Sequence, residues 1–273
     1  MQALTHWSLQ ARRSITGVLT DIDDTLTTQG AITRDALGAL YDLKAAGLPV
    51  IAVTGRPVGW GEPFACYWPV DAIVAENGAV ALFLSKKDSQ SNQNVPRQLS
   101  KLYQQDDMTR IANQLAMQRV TQRVLHEVAG AVLAQDSAGR ETDMAIDHSE
   151  FAHLSQENIA QTVRIMRSGG MNATVSSIHI NGWFGTHNKL DGARWIVREL
   201  LGRDLDAEME RWVYVGDSTN DQLMFEAFAN SVGVANVRRF EAQLSHQPRY
   251  ITRAERGAGF AEVAAAVLAA RNS

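Results

Sequence analysis

Val18-Leu19-Thr20-Asp21-Ile22-Asp23-Asp24-Thr25-Leu26 is an apolar run that ends in two aspartates two positions apart. Read as a strand, its alternation puts the Asp21 and Asp23 side chains on one side, at the strand's carboxyl end. Open α/β sheets bind their ligands at that end. Two carboxylates held this close repel unless a cation or a proton sits between them. The plainer use of aspartate here is to cap a turn or a helix, so the neighbouring segments must decide between the two readings.

Working outward, Ser14 to Thr20 reads as a buried strand that feeds the acidic pair. Thr33 is placed to cap a helix carrying Leu37, Leu40 and Leu43, and Gly47 to stop it. Pro49 to Val53 and Asp71 to Ala75 are two further apolar strands, ending at Thr54-Gly55-Arg56-Pro57 and at Glu76-Asn77-Gly78-Ala79. Strands alternating with helices at this spacing predict a parallel sheet with right-handed crossovers.

The texture then changes. Ser85 to Arg97 is polar and reads as a loop or linker. Beyond it, Asp107 to Ala129 and Gln156 to Ser168 are predicted helices, while Asp143 to Ile146 and Ala173 to His179 are predicted strands. Ser176 to Asn181 alternates polar and apolar, as a sheet with one covered face does. Residues 83–187 are accordingly expected to form an inserted domain, with 1–82 and 188–273 forming the main one. After the insertion come a helix over Leu190–Leu201, a strand over Trp212–Val215 and the loop Gly216-Asp217-Ser218-Thr219-Asn220-Asp221. Ser231 to Ala235 and Arg249 to Ile251 are further candidate strands, and Phe260 to Ala270 closes the chain as a helix. The fold class is α/β: a doubly wound parallel sheet of Rossmann type with an inserted α/β unit.

Carboxyl ends of parallel strands converge on one edge, so Asp21, Asp23, Thr54, Asp217 and Asp221 can meet, with Lys189 at the start of the following helix. Several carboxylates around one pocket favour a hard, oxygen-loving cation, and Mg²⁺ suits a site that also holds phosphate. Cys and His pairs at zinc spacing are absent from the sequence.

Four motifs in order, Asp21-Ile22-Asp23-Asp24-Thr25, Thr54-Gly55-Arg56, Lys189 and Gly216 to Asp221, resemble the haloacid dehalogenase superfamily and its Mg²⁺-dependent phosphatases. The resemblance covers about 14–82 and 188–273. The insertion falls where one branch of that superfamily carries a large α/β cap. That branch includes sucrose-phosphate, trehalose-phosphate and mannosyl-3-phosphoglycerate phosphatases and eukaryotic phosphomannomutases. The resemblance implies that Asp21 is the nucleophile and becomes an aspartyl phosphate, and that Asp23 is the general acid and base. It further implies Mg²⁺ on Asp21, the Asp23 carbonyl and Asp217, with Thr54, Gly55, Lys189 and Asn220 on the phosphoryl oxygens. Asp221 then orients Lys189 or a metal-bound water. Asp24 departs from the pattern, which usually has glycine there, and is taken as a tolerated variant.

Other residues carry two readings. Arg56 either braces its loop or touches substrate. Arg140, His179, Asn181 and Trp183 face the pocket or serve the packing of the insert, and for Trp183 packing is the commoner role. His148 and His153 read as surface residues, and the single cysteine, Cys66, as packing.

With 26 basic and 30 acidic residues the net charge is −4, which gives no support to nucleic-acid or anionic-membrane binding. One cysteine excludes an intramolecular disulfide. No stretch has the apolar character of a secretory signal or a membrane span. A cytoplasmic enzyme, monomer or homodimer, is expected, hydrolysing phosphomonoesters of small metabolites such as sugar phosphates or mannosyl-3-phosphoglycerate-like compounds. The competing expectations are a phosphomutase on the same framework and a non-catalytic protein that binds a phosphorylated ligand.

Overall fold

A computed structural model describes residues 1–85 and 98–271; the linker expected at Ser85–Arg97 lies almost wholly outside the described residues. In chain order the first half comprises β1 (Gln2–Ala3), α1 (Leu9–Arg13), β2 (Gly17–Thr20), the small hairpin β3 (Thr27–Thr28) and β4 (Ala31–Ile32), α2 (Arg34–Ala45), β5 (Val50–Val53), α3 (Val58–Tyr67), β6 (Ala72–Ala75), β7 (Val80–Ser85) and β8 (Gln98–Tyr103). There follow α4 (Asp107–Glu127), β9 (Val132–Leu133), β10 (Asp143–Asp147), α5 (Gln156–Ser168), β11 (Asn172–Val175) and β12 (His179–Trp183). The chain ends with α6 (Lys189–Leu201), β13 (Trp212–Gly216), α7 (Gln222–Ala227), β14 (Asn230–Gly233), β15 (Tyr250–Ile251) and α8 (Arg256–Arg271).

Among the described residues nine strands form one sheet in the order β1-β15-β14-β13-β2-β5-β6-β7-β8. Its pairs are parallel from β1 to β6 and antiparallel from β6 to β8. Thr20 stands opposite both Val215 and Ala52, so Asp21, Thr54 and Asp217 all emerge just past the same line. Alternate strand residues go to opposite faces, as the strand period requires. Val18, Ala52, Ile73 and Val215 share one core with Leu40, Phe260 and Val267. Leu19, Ile51, Val74 and Tyr214 share the other with Ile196, Val197 and Phe225. Both faces are covered, which is why these strands read as unbroken apolar runs.

Local sequence sets the helix ends. The Thr33 hydroxyl accepts from the Ala36 amide, and α2 gives way at Gly47, whose φ is +73°. Ser155 and Asp106 cap α5 and α4 in the same way.

A second sheet, β11-β12-β10-β9, is antiparallel. Met117, Val120 and Val124 of α4 and Ile165 and Met166 of α5 cover Met144, Ile146 and Ile180 on one of its faces. The boundary expected at residue 83 falls inside β7, and β8 also belongs to the large sheet. The single strand expected over Ala173–His179 is instead two strands joined by a turn. The Ser176 hydroxyl accepts from the Ile178 and His179 amides and donates to the His179 carbonyl, which closes the hairpin inside the alternating run. The strand expected from Ser14, β2, starts at Gly17, with α1 occupying the residues before Ser14. No helix among the described residues is long and apolar enough to cross a membrane.

Candidate active site

The carboxyl ends of β2 and β13 are adjacent, and the Asp21 amide donates to the Val215 carbonyl at 2.8 Å. Lys189, the first residue of α6, reaches this edge because Asn188 caps the helix with bonds from Leu190 and Asp191. The turn at Gly78 packs so tightly against Asn188 and Gly192 that any Cβ on Gly78 would collide with the Asn188 carbonyl. Lys189 Nζ donates to Asp21 Oδ1 and to Asp221 Oδ1, each at 2.7 Å. All three side chains are buried.

Asp221 is fully engaged. Its Oδ1 also accepts from the Tyr214 hydroxyl, and its Oδ2 accepts from the amides of Asp217 and Ser218. Asp217 is not. Asn236 donates to its Oδ2 at 3.0 Å, but Oδ1 is buried with no partner among the described residues. Carboxylate oxygens of Asp21, Asp217 and Asp221 lie within 4.8 Å of one another. Burial, followed by the neighbouring acids, pushes Asp217 far above the usual carboxylate range. Burial also lifts Asp21 to about 7, against the pull of Lys189. One ammonium thus faces three acids, and an orphaned oxygen points at the shortfall. An all-oxygen donor set with a free buried carboxylate oxygen fits a hard divalent cation such as Mg²⁺.

Asp23 faces elsewhere. Both its oxygens accept from Arg56 Nε at 3.0 Å. Burial raises its pKa while Arg56 opposes the rise, which favours a carboxyl able to carry a proton. Arg56 also bonds Asp136 at 3.1 Å and Glu150 at 2.8 Å, both in the insert, before and after β10. It therefore ties the large sheet's loop to the insert rather than standing free. Thr54 is buried and its hydroxyl accepts from the Arg56 amide. The Gly55 carbonyl accepts from Arg140 and from Asn181. Asn220 accepts from the Ser218 hydroxyl and borders the cleft together with Asp21, Asp23 and Gly55.

Asp24 has φ +55°, the region that favours glycine, and its carboxylate lies 2.9 Å from Arg256 Nε. The turn is thus preserved, with the extra charge directed to an arginine.

Of the insert residues, Arg140 and Asn181 both bond Asp143, which burial lifts to about 7. Trp183 is buried, donates to the His187 carbonyl and stacks on that ring at 5.7 Å. His179 Nε2 lies 2.8 Å from Glu150 Oε2. His148 is partly buried, its Nε2 3.0 Å from the Ser176 carbonyl oxygen, and Cys66 is exposed.

Sequence reasoning missed Tyr214, Asn236, Glu76, Asp136 and Glu150. Glu76 sits at 0% exposure and accepts from the amides of Val58, Glu141 and Thr142, so one carboxylate stitches the insert to the large sheet. Its only signal was a carboxylate directly after an apolar strand; Asn236 had none.

Glu150 yields a measurable consequence. Burial alone would raise its pKa, but His179 and Arg56 hold it down at about 2. A carboxyl held below its unfolded value of 4.5 stabilises the fold above that pH and loses the contribution as pH falls toward 2. Glu150→Gln is expected to unfold at lower urea than the wild type at pH 7, the two curves converging in acid. A gap independent of pH would sink this assignment.

The family model described as haloacid dehalogenase-like hydrolase matches residues 18–166, more than half of the chain. The chain belongs to the haloacid dehalogenase-like hydrolases. No curated protein matches this hydrolase. Among solved structures it is similar to the sucrose-phosphatase of Synechocystis sp. PCC6803, solved with sucrose and phosphate. The identity is 16%, coverage is 93% of this chain and 98% of that one, and the TM-score is 0.63. Thermoplasma acidophilum 0175 gives 14% identity, 93% and 98% coverage and a TM-score of 0.66. Trehalose-6-phosphate phosphatase of Aspergillus fumigatus gives 16%, complete coverage of both chains and 0.57. At these identities the likeness concerns the fold.

Proposed function

We propose that this hydrolase is a Mg²⁺-dependent phosphomonoesterase of small phosphorylated metabolites, sugar phosphates foremost, working through an aspartyl phosphate. The observation that carries the reading is the buried trio Asp21, Lys189 and Asp221 beside the unpartnered Asp217 Oδ1. Asp21 attacks phosphorus, and the bond to the leaving alcohol breaks as Asp23 gives its proton to the departing oxygen. Asp23 then takes a proton from the water that hydrolyses the acyl phosphate. Lys189, Asn220, Thr54 and the Gly55 amide hold the phosphoryl oxygens as charge spreads over them. Asp221, held by Tyr214 and two amides, keeps Lys189 in place. Mg²⁺, held by Asp21, the Asp23 carbonyl and Asp217, supplies charge that offsets repulsion between the anionic nucleophile and the anionic ester.

The large sheet with its helices, from β1 through β8 and again from Lys189 onward, serves as the catalytic core, and the segment from α4 to β12 as the cap. The space over Asp21 and Asp23, beneath Ser176–His179, is only about 10 Å³, room for about one water. Substrate entry therefore requires the cap to lift, and its return keeps bulk water away while Asp21 attacks phosphorus. A buried, narrow site of this kind suits a small molecule and no polymer such as a nucleic acid. The net charge of −4 agrees with that, and the single cysteine with a cytoplasmic setting.

The test is phosphate release from p-nitrophenyl phosphate by protein stripped with EDTA, before and after adding Mg²⁺. Activity is expected only with the metal; full activity in chelator would remove the metal assignment. A hexose 1-phosphate converted to the 6-phosphate with no free phosphate would favour the mutase instead.

A further inference from the structure

Two spaces open between the second sheet and the large one. The narrow one over Asp21 has its charged side chains already paired, Arg56 with Asp23, Asp136 and Glu150. The other lies between β11 and the start of α6, measures about 500 Å³, and shares Asn220 with the first. That size is ordinary for a small-molecule site. Lys189 also borders it, so a group bonded to a phosphoryl held there has a direct way in.

The lining has a consistent chemistry. It holds no carboxylate among the described residues. Neither of its two cations is left for a second anion deep in the cleft: Lys189 serves Asp21, Asp221 and the phosphoryl group, and Arg167 is exposed and donates to the Ala173 carbonyl. Thr174 Oγ1 and His187 Nε2 are buried with no partner among the described residues, and both residues line this space. His187 is only 4% exposed. A buried donor or acceptor left unmatched is costly, so a ligand that matches it gains. Burial holds the His187 pKa down at about 4, which makes it a neutral imidazole suited to a hydroxyl and unsuited to pairing with an anion.

Resting on the phosphomonoesterase reading, we propose that the alcohol portion of the substrate occupies this cleft, and that it is an uncharged, hydroxyl-rich group read by Thr174 and His187. Both atoms are buried in this arrangement, so the cap lifting that admits the phosphate must also bring them against the ligand's hydroxyls.

A panel of monophosphates tests this first. Hexose, pentose and polyol phosphates are compared with esters whose leaving group carries a carboxylate or a second phosphate, each by kcat/KM relative to p-nitrophenyl phosphate. The best substrate is expected to have an uncharged leaving group; a best substrate with a second anion overturns the inference. On the best substrate, Thr174→Val and His187→Phe are each expected to lower that ratio by roughly three- to tenfold, the loss of one hydrogen bond. Thr174→Ser is expected to restore it, and the freed alcohol is expected to inhibit T174V more weakly than the wild type. Ratios unmoved in both variants would overturn the placement. If the wild type hydrolyses p-nitrophenyl phosphate and only the ratios fail, the phosphatase reading survives. If it hydrolyses no ester with Mg²⁺ present, both fall.

Discussion

Asp21→Asn is expected to abolish phosphate release from p-nitrophenyl phosphate, by about 10⁴-fold or more, while the chain stays folded. An amide matches a carboxylate in shape but cannot form the acyl phosphate. The fold is expected to survive for an electrostatic reason. Asp21 is one of three buried acids served by a single ammonium, and its charge helps drive Asp217 far out of the carboxylate range. Removing that charge relieves repulsion, and Lys189 keeps Asp221 as its partner at 2.7 Å. Thermal unfolding of the variant without metal should therefore occur at or above the wild-type midpoint. Activity within tenfold of the wild type would place the nucleophile elsewhere. An inactive variant that is also unfolded would contradict the relief of repulsion.

Much of the large sheet was legible because its strands are short, apolar and bounded by turn residues, and because both faces are covered. Asp21 and Asp217 were legible for the same reason: each is the first acid after such a strand. The hairpin at Ser176–Ile178 was not, since a side chain bonding its own backbone leaves the alternation of the sequence undisturbed. Nor were the partners of the site. Arg56 to Glu150 spans 94 positions and Asn236 to Asp24 spans 212, and no local pattern marks either pair. Trp183 could stack on a ligand or on its own chain; the fold puts it on His187, whose Nε2 has no partner among the described residues. Strand alternation and helix caps are local and can be read. A polar network between distant segments needs the whole fold.

Lys189→Met is expected to lose both stability and activity, and the pH dependence of the loss identifies its cause. The lysine side chain is 3% exposed, and without it Asp21 and Asp221 are two buried carboxyls beside a third. Breaking a buried pair by removing one partner costs about 3–5 kcal/mol. The carboxyls can escape that cost by taking protons, so the variant's pKa values move up. Groups whose folded pKa lies above the unfolded value stabilise at low pH and lose that contribution as pH rises. The deficit in urea midpoint should therefore be small near pH 5 and large near pH 8. Lys189→Arg is expected to fail as well, because a planar fork does not replace a compact ammonium between two carboxylates. Adding Asp221→Asn to Lys189→Met removes one of the stranded charges, so the double variant should regain part of the stability but none of the turnover. Turnover stays lost because the phosphoryl oxygens still lack their cation, a deficit of about 10²–10³ in kcat. A deficit equal at both pH values would mean that Lys189 acts through packing alone, and the charge balance proposed for this site would fail with it.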